Sequence, residues 1–512
     1  MSSSTDVARV YLVGAGPGDP GLISLRAVEC LRIADLVLYD GLVNPLLLRH
    51  TNAVCERTAR TRRDGSGIVP QEEVNQRLVC EAQAGRTVVR LKGGDPCIFG
   101  RGSEEADALE AAGIPFEIVP GITAATAAAE YAGFSFTHRR ISSAVAFITG
   151  HEDPTRSDSR LDFDAISRFP GTLVFYMGLS RLPEICRQLI TSGMPADTAA
   201  AIVCQASLPS QRVATGTLST LPEVATAAGL KPPSLIVVGE CVTQRERHSW
   251  FELLPLFGQS IAITRPVQQA GDIVDQVVRL GGEPVLMPMI EIKPVDDSTS
   301  REIARRLQSL LDVDWLIFTS VNGVGEFFRH LWMSGKDSRA IGHCSVAAIG
   351  TSTAEALAER GIRADIVPQT FRAEALADAL APVVGGKKVL WVRANRGRDI
   401  LPTALKQAGA SVEDLVVYQN NDCQAMSPDI SQRLRDGTLN WIALSSPSIA
   451  KQFLRMLQEA GMNANQLRAK IATISPVTTA AVQSAGMNVA VEAGTHTWAG
   501  MIRSICEYQR EE

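Results

Sequence analysis

Short apolar runs alternate along this chain with amphipathic stretches at helical spacing. The run Val10–Val13 reads as a buried strand. "SLRAVECLRIAD" follows with apolar residues on one helical face and ends before "LVLYD", a second strand. "RTVVRLKGGDP" is a strand that enters a glycine turn, "EEADALEAAGIP" a helix and "FEIVPG" a strand again. Repetition of this kind predicts an α/β fold with mostly parallel sheets covered by helices.

The pattern breaks at "WFELLPLFGQS" and restarts near residue 258 with "IAITRP", another buried strand entering a turn. Beyond it two phrases recur. "DWLIFTSVNGV" (314–324) is echoed by "NWIALSSPSIA" (440–450), and "VAAIGTSTAEAL" (346–357) by "KIATISPVTTAAV" (470–482). The echo predicts two similar α/β lobes in residues 260–512. Two modules are therefore expected, residues 1–250 and 260–512, each of two lobes and joined by a linker at 251–259.

Composition narrows the class. With 512 residues the chain is too long for one core, and length alone suggests two to four domains. A formal charge of −5 lacks the basic excess of a nucleic-acid binder, so no nucleic-acid partner is expected, and a polyanionic ligand must meet local basic clusters. The ten cysteines show no CxxC spacing and no finger-like grouping with histidine, which predicts reduced thiols and no metal site. "MSSSTDVARV" leads directly into the first strand and no long uncharged apolar run follows, so a cytoplasmic protein with no signal peptide and no membrane partner is expected.

The candidate chemistry lies at strand ends. "VGAGPGDPG" (13–21) looks like a nucleotide cradle, yet it fits no phosphate motif: the third glycine of G-x-G-x-x-G is replaced by Asp19, and no Gly-Lys-Ser/Thr follows. It reads as a tight loop after a strand, structural or ligand-facing. "RLKGGDPCIFGRGSEE" (90–105) is a second strand with a glycine turn, where Gly93 and Gly94 permit close backbone approach and Asp95 can accept from a ribose or an amino group. "VPGITAATAAAE" (119–130) adds a third junction with small residues. Three such junctions point to a ligand in the crevice at the carboxyl ends of the strands.

Together with "LVLYDGLV", "VPQEEVNQ", "THR", "TGH", "GTLVFYMG" and "PPSLIVVGE", these stretches resemble the tetrapyrrole methyltransferases over about residues 8–250, most closely the uroporphyrinogen-III C-methyltransferases. The resemblance implies a two-lobed methylase fold, with lobes of about 1–121 and 122–250, and S-adenosylmethionine as methyl donor in the cleft between them, with S-adenosylhomocysteine as product. It implies cofactor contacts at Pro17, Gly93, Gly94, Asp95, Ile98, Thr123, Ala124, Met177 and Ala206, and a homodimer formed through this half. It carries an aspartate at Asp40, here the candidate base; a turn or capping aspartate is the other reading. Where the family tends to have a lysine 22 residues later as proton donor, this chain has Arg62. Arginine stays protonated, so Arg62 is read as an electrostatic grip on a substrate carboxylate at the catalytic centre. Arg57, Arg60, Arg62 and Arg63 form a basic run suited to an octacarboxylate, and Arg139 and Arg140 a second. His138 fits a structural or a catalytic role, and Lys92 is read as anchoring its own loop.

In the second module the strand ends carry hydroxyls and amides: Thr319, Ser320 and Asn322; Thr351, Ser352 and Thr353; Ser445, Ser446 and Ser448; Thr478 and Thr479. Such turns offer hydroxyls and N–H groups to carboxylates. "RANRGRD" (393–399) adds three arginines and "ITRP" adds Arg265. With "FTSVNGV", "AIGTSTAEAL", "VYQ", "SSPSIAKQF" and "ISPVTTAAV", this set resembles the uroporphyrinogen-III synthases over about residues 258–505. The resemblance implies two α/β lobes, about 260–292 with 421–512 and about 293–420, and a reaction without cofactor. Hydroxymethylbilane loses water, cyclises through a spiro intermediate and inverts ring D. A tyrosine of the family falls at Tyr418, the candidate for assisting the leaving hydroxyl. Arg265, Thr351, Ser446 and Thr478 are carboxylate-binding candidates, the three hydroxyls doubling as candidate helix caps.

The two resemblances imply one bifunctional tetrapyrrole enzyme. It would form uroporphyrinogen III and methylate it at C2 and C7 to precorrin-2, on the way to sirohaem or cobalamin. A ligand-binding regulatory protein, or a methyltransferase with a non-catalytic synthase-like half, are the alternatives.

Overall fold

The computed structural model describes residues 9–58, 69–150, 161–397 and 399–511. The chain divides into two compact units, Met1–Ile261 with Asp275–Pro284 and Cys506–Glu512, and Ala262–Val274 with Val285–Ile505. Arg60, Arg62, Arg63 and Arg398 lie outside the described residues.

The first ten strands are β1 (Val10–Gly14), β2 (Leu36–Tyr39), β3 (Val54–Arg57), β4 (Val88–Lys92), β5 (Phe116–Val119), β6 (Val145–Thr149), β7 (Thr172–Tyr176), β8 (Ala199–Cys204), β9 (Arg212–Thr217) and β10 (Ser234–Val238). They form two sheets, ordered β3-β2-β4-β1-β5 and β6-β7-β10-β8-β9. The first is parallel throughout. The period of two divides β1 between two layers. Tyr11 and Val13 pack with Ala27, Cys30 and Leu31 of helix Leu25–Ile33, while Val10 and Leu12 pack with Leu78 and Leu109 of helices Gln71–Gln83 and Gly102–Ala111. Leu12, Leu31, Leu36, Leu78, Leu91 and Leu109 are fully buried, each worth roughly 1.5–3 kcal/mol relative to exposure. Because every strand runs the same way, all the turns that follow them emerge along one edge.

The second sheet departs from the parallel expectation. Only β6–β7 is parallel; β7–β10, β10–β8 and β8–β9 are antiparallel. A parallel crossover needs a dozen or more residues, and residues 205–211 alone join β8 to β9, so that connection turns back as a hairpin. One face of this sheet, with Val174, Val203 and Val237, packs on the alanine-rich helix Ala124–Ala132; the other, with Phe175, Ile202 and Ile236, packs on Ile185 and Leu189 of helix Leu182–Thr191.

Ten further strands follow among the described residues: β11 (Ser260–Ile263), β12 (Glu283–Leu286), β13 (Ile290–Pro294), β14 (Trp315–Phe318), β15 (Ser345–Ala348), β16 (Lys388–Ala394), β17 (Ser411–Asp422), β18 (Trp441–Leu444), β19 (Lys470–Thr473) and β20 (Val491–Glu492). They form sheets ordered β12-β11-β18-β19-β20 and β13-β17-β16-β14-β15. The first of these draws on both ends of the segment and the second is continuous. The recurring phrases have a common local structure. After "WLIF" of β14, Ser320 caps helix Val321–Met333 by accepting from Gly323 N at 2.9 Å. After "WIAL" of β18, Ser446 caps helix Pro447–Glu459 by accepting from Ile449 N at 3.2 Å. The long strand β17 pairs in parallel with β16 and, through Tyr418–Asp422, antiparallel with β13. Among the described residues no helix is long and apolar enough to cross a membrane.

Candidate functional site

Three glycine turns meet at the carboxyl edge of the first sheet. Gly16 and Gly94 exchange backbone hydrogen bonds, Gly16 N to Gly94 O at 3.2 Å and Gly94 N to Gly16 O at 2.8 Å. A Cβ on Gly14 would stand 2.5 Å from both Cα and N of Gly121 and 2.8 Å from Gly94 O, so the turns after β1, β4 and β5 touch backbone to backbone. Gly94 has φ +69°, a conformation glycine adopts without penalty. Asp95 holds the assembly together: Oδ1 accepts from Cys97 N at 2.8 Å and from Ile98 N at 3.2 Å, and Oδ2 accepts from Gly121 N at 3.0 Å. Both of its oxygens thus serve the loops themselves, a use the sequence reading did not foresee.

Loops of the other lobe close over this edge. Ser207 Oγ accepts from Asp19 N at 3.1 Å, and Tyr131 donates to Asp19 Oδ2 at 2.8 Å. Tyr176, at the end of β7, lies 2.6 Å from Thr123 Oγ1 and accepts from Ala125 N at 3.1 Å, with the ring of Phe99 4.8 Å away. Burial, and then the nearby Asp19 carboxylate, raises the Tyr131 hydroxyl; burial is the main cause for Tyr176 as well. Five non-glycine residues among those described have positive φ: Phe99, Arg101, Met177, Gln205 and Ser207. All follow β4, β7 or β8, and such backbone costs of order 1 kcal/mol or more per residue and collects at ligand sites. The nine cofactor-contact candidates lie in or beside these turns: Pro17, Gly93, Gly94, Asp95, Thr123 and Ala124 in the three junctions after β1, β4 and β5, Ile98 next to Phe99, Met177 next to Tyr176, and Ala206 between the two strained residues of the hairpin. Phe99 also lines an apolar cavity of about 420 Å³ with Phe147, Ile148 and Ile166.

Asp40 follows β2 on the same edge. Its Oδ1 accepts from Arg90 Nη2 and, at 3.2 Å, from Thr58 Oγ1. Arg90 donates through Nε to Glu105 Oε1 at 2.9 Å, Lys92 Nζ donates to the same oxygen at 2.9 Å, and Gln71 Nε2 does so at 3.0 Å. Burial pulls hard on both cations. It depresses Lys92, and neighbouring Arg90 adds to the effect; for Arg90 the Asp40 and Glu105 carboxylates outweigh it and the guanidinium is held charged. Arg57 Nη2 reaches Gly41 O at 3.2 Å. Arg139 is exposed and has no partner among the described residues, whereas His138 organises the turn 138–142 through its backbone and through Nδ1, which accepts from Arg140 N at 3.2 Å.

In the later unit Tyr418 is buried, its hydroxyl 3.0 Å from Ser320 Oγ at the head of helix Val321–Met333. Thr351 is exposed at the first position of helix Thr351–Ala358, and Ser446 lies 3.0 Å from Ser448 Oγ. Thr478 is fully buried with its hydroxyl 3.2 Å from Ser475 Oγ, so the more open Ser475 fronts that turn. Arg265 is half-buried without a hydrogen-bond or ion-pair partner among the described residues, and burial lowers its proton affinity. Arg393 lies over Trp391 at 4.0 Å and pairs with Asp414 at 2.8 Å. A cavity of about 510 Å³ beside β13 and β17 is lined by Glu291, Lys293, Asn395, Arg396, Asn420 and Asp422, and by none of the five candidates of this unit. No group of three metal-ligating side chains occurs among the described residues.

The sequence reading passed over Glu105, Arg90, Tyr131 and Tyr176. A signal was present for the first two: Arg90 and Lys92 share one face of an otherwise apolar strand, and Glu105 shares a helix face with Leu109. Two buried cations require buried anions.

The profile of the tetrapyrrole (corrin/porphyrin) methylases matches residues 9–222, and that of uroporphyrinogen-III synthase HemD matches residues 271–503. The porphyrin biosynthesis protein HemD of Ruminiclostridium josui is 36% identical over 453 residues, covering 88% of this chain and 89% of that protein. The siroheme synthase of Pseudomonas fluorescens strain Pf0-1 is 50% identical over 243 residues, and the chain spans about half that protein's length (52%). Among solved structures, a uroporphyrin-III C-methyl transferase from Thermus thermophilus complexed with S-adenyl homocysteine is 37% identical, with a TM-score of 0.39 over 46% of this chain and 99% of that one. The chain belongs to the family of tetrapyrrole-biosynthesis proteins that join a methylase segment and a HemD-type synthase segment in one polypeptide.

Proposed function

We propose that the later unit cyclises hydroxymethylbilane to uroporphyrinogen III with inversion of ring D, and that the first unit methylates this product at C2 and C7 to precorrin-2. The observation that carries the methylase half is the convergence of three glycine turns, with backbone contacts that leave no room for a Cβ on Gly14, at the edge where Asp40 also lies. A cradle of bare backbone fits the close approach of a flat, polar cofactor. S-adenosylmethionine, when bound, supplies an electrophilic methyl group. The protein's own residues then align the reduced pyrrole carbon with it and accept the proton released afterwards, with Asp40 as base. Arg57, Arg139, Arg62 and Arg63 grip substrate carboxylates in this reading.

In the synthase half the departing hydroxyl takes a proton as the C–O bond breaks, with Tyr418 as donor and Ser320 as its hydrogen-bonded support. Arg265 favours the same reading, because a half-buried guanidinium with no hydrogen-bond or ion-pair partner among the described residues is compensated when a substrate carboxylate arrives. Assembly as a homodimer through residues 1–250 belongs to the proposal and is read by sedimentation. The deciding experiment supplies the full chain with hydroxymethylbilane and methyl-labelled S-adenosylmethionine. A labelled product carrying two added methyl groups, and so heavier than uroporphyrinogen III by two CH2 units once the released protons are counted, is expected. Binding without label transfer, or closure only to the uninverted isomer, would refute the assignment.

A further inference from the structure

The one opening in an otherwise buried ionic cluster points to a residue that acts behind the proposed base. Arg90, Lys92 and Glu105 are 3%, 2% and 0% exposed, whereas the side chain of Asp40 is 31% exposed. The cluster holds two cations and two carboxylates, so it is neutral as a whole. Its contacts are lopsided. Arg90, Lys92 and Gln71 all donate to Oε1 of Glu105, and Oε2, buried, has no hydrogen-bond partner among the described residues. Stability alone does not account for such a group. Replacing a buried ion cluster by apolar side chains is often neutral or stabilising, and the neighbouring face is already occupied by Leu78 and Leu109. What the cluster does achieve is geometric. Arg90 is held at Nε by Glu105 and at Nη1 by Leu38 O, at 3.3 Å, which leaves Nη2 aimed at Asp40.

We propose that Glu105 is a positioning residue for methyl transfer: anchored by Lys92 and Gln71, it fixes the Arg90 fork that orients the Asp40 carboxylate towards the substrate. Glu105 touches neither substrate nor cofactor in this role. The inference rests on the reading of Asp40 as the base.

The test uses the full chain with uroporphyrinogen III and labelled S-adenosylmethionine, and S-adenosylhomocysteine as the binding probe. Glu105→Gln keeps an acceptor for all three donors and removes the charge. It should lower kcat for methyl transfer about tenfold, because a hydrogen bond between charged partners is roughly twice as strong as a neutral one, while KM for both substrates and S-adenosylhomocysteine affinity stay within about twofold of wild type. Asp40→Asn should lower kcat by about 10²–10⁴, and the double variant should be no slower than Asp40→Asn alone, since Glu105 acts only through Asp40. Losses that multiply in the double variant, or a Glu105→Gln effect confined to KM and S-adenosylhomocysteine binding, would overturn the proposal. If Asp40→Asn leaves kcat intact, the base assignment itself fails, a result separate from either. Should Glu105→Gln not fold, Gln71→Leu removes one of the three donors; a smaller loss of kcat that disappears in the Asp40→Asn background supports the proposal, and one that persists there overturns it.

Discussion

The sharpest consequence of the cradle is steric. Gly14 has no positive φ, so its backbone conformation admits alanine. What forbids alanine is the space: its Cβ would lie 2.5 Å from Gly121 Cα and N and 2.8 Å from Gly94 O. Ordinary carbon–carbon contact is about 3.5–4 Å, so one of the three turns must retreat by about 1 Å. All three neighbouring atoms are backbone, and no rotamer change relieves them. Overpacking costs about 1–3 kcal/mol even where side chains can adjust; here the upper end is expected, about 3 kcal/mol. For a unit of this size that corresponds to a fall in melting temperature of about 6–12 °C. Because the turn that retreats carries the proposed cofactor contacts, S-adenosylhomocysteine affinity should fall by about tenfold or more. Scanning calorimetry and titration calorimetry on Gly14→Ala read the two effects. Gly325→Ala is the control, since a Cβ there meets nothing within 4 Å inside helix Val321–Met333, and it should raise stability by roughly 0.5–1 kcal/mol. A Gly14→Ala protein that melts within about 2 °C of wild type and binds S-adenosylhomocysteine equally well would refute the close-contact reasoning.

Other outcomes follow from the later unit. Arg265→Gln removes a half-buried cation that has no hydrogen-bond or ion-pair partner among the described residues, so the variant should melt at or above the wild-type temperature while KM for hydroxymethylbilane rises at least about tenfold; a lower melting temperature with unchanged KM would contradict this. Tyr418→Phe loses one hydrogen bond, to Ser320, worth about 1 kcal/mol of stability, and should depress the cyclisation kcat far more than folding, read by product formation against the melting curve. Asp296 caps helix Asp297–Gln308, and hydrogen bonds from Ser298 and then Thr299 lower its carboxyl from 3.8 to about 2. A depressed folded-state value places its contribution above about pH 4 and removes it as pH falls to about 2. The stability difference between wild type and Asp296→Asn should therefore shrink across that window, and a difference that persists at pH 2 would contradict the assignment.

Local chemistry made much of this protein legible in one dimension. Apolar runs such as Val10–Val13 and "WIAL" became strands because their residues have no polar face to offer, and Ser320 and Ser446 cap helices because a hydroxyl three residues before a free N–H satisfies it wherever the chain lies. The glycine turns at 14–18 and 93–94 were visible for the same reason. Contacts between distant segments were not. That Gly14, Gly94 and Gly121 meet, that Asp95 bonds to Gly121 across the edge, and that Gln205–Gln211 turns back as a hairpin to contact Asp19 depend on which strands become neighbours, and no single stretch carries that information. The Arg90–Glu105–Lys92 cluster is the clearest case. The sequence shows that Arg90 and Lys92 share one face of an apolar strand and Glu105 one face of a helix, but only burial in a common core, where an isolated charge is too costly to keep, turns them into one unit with Asp40 at its open end.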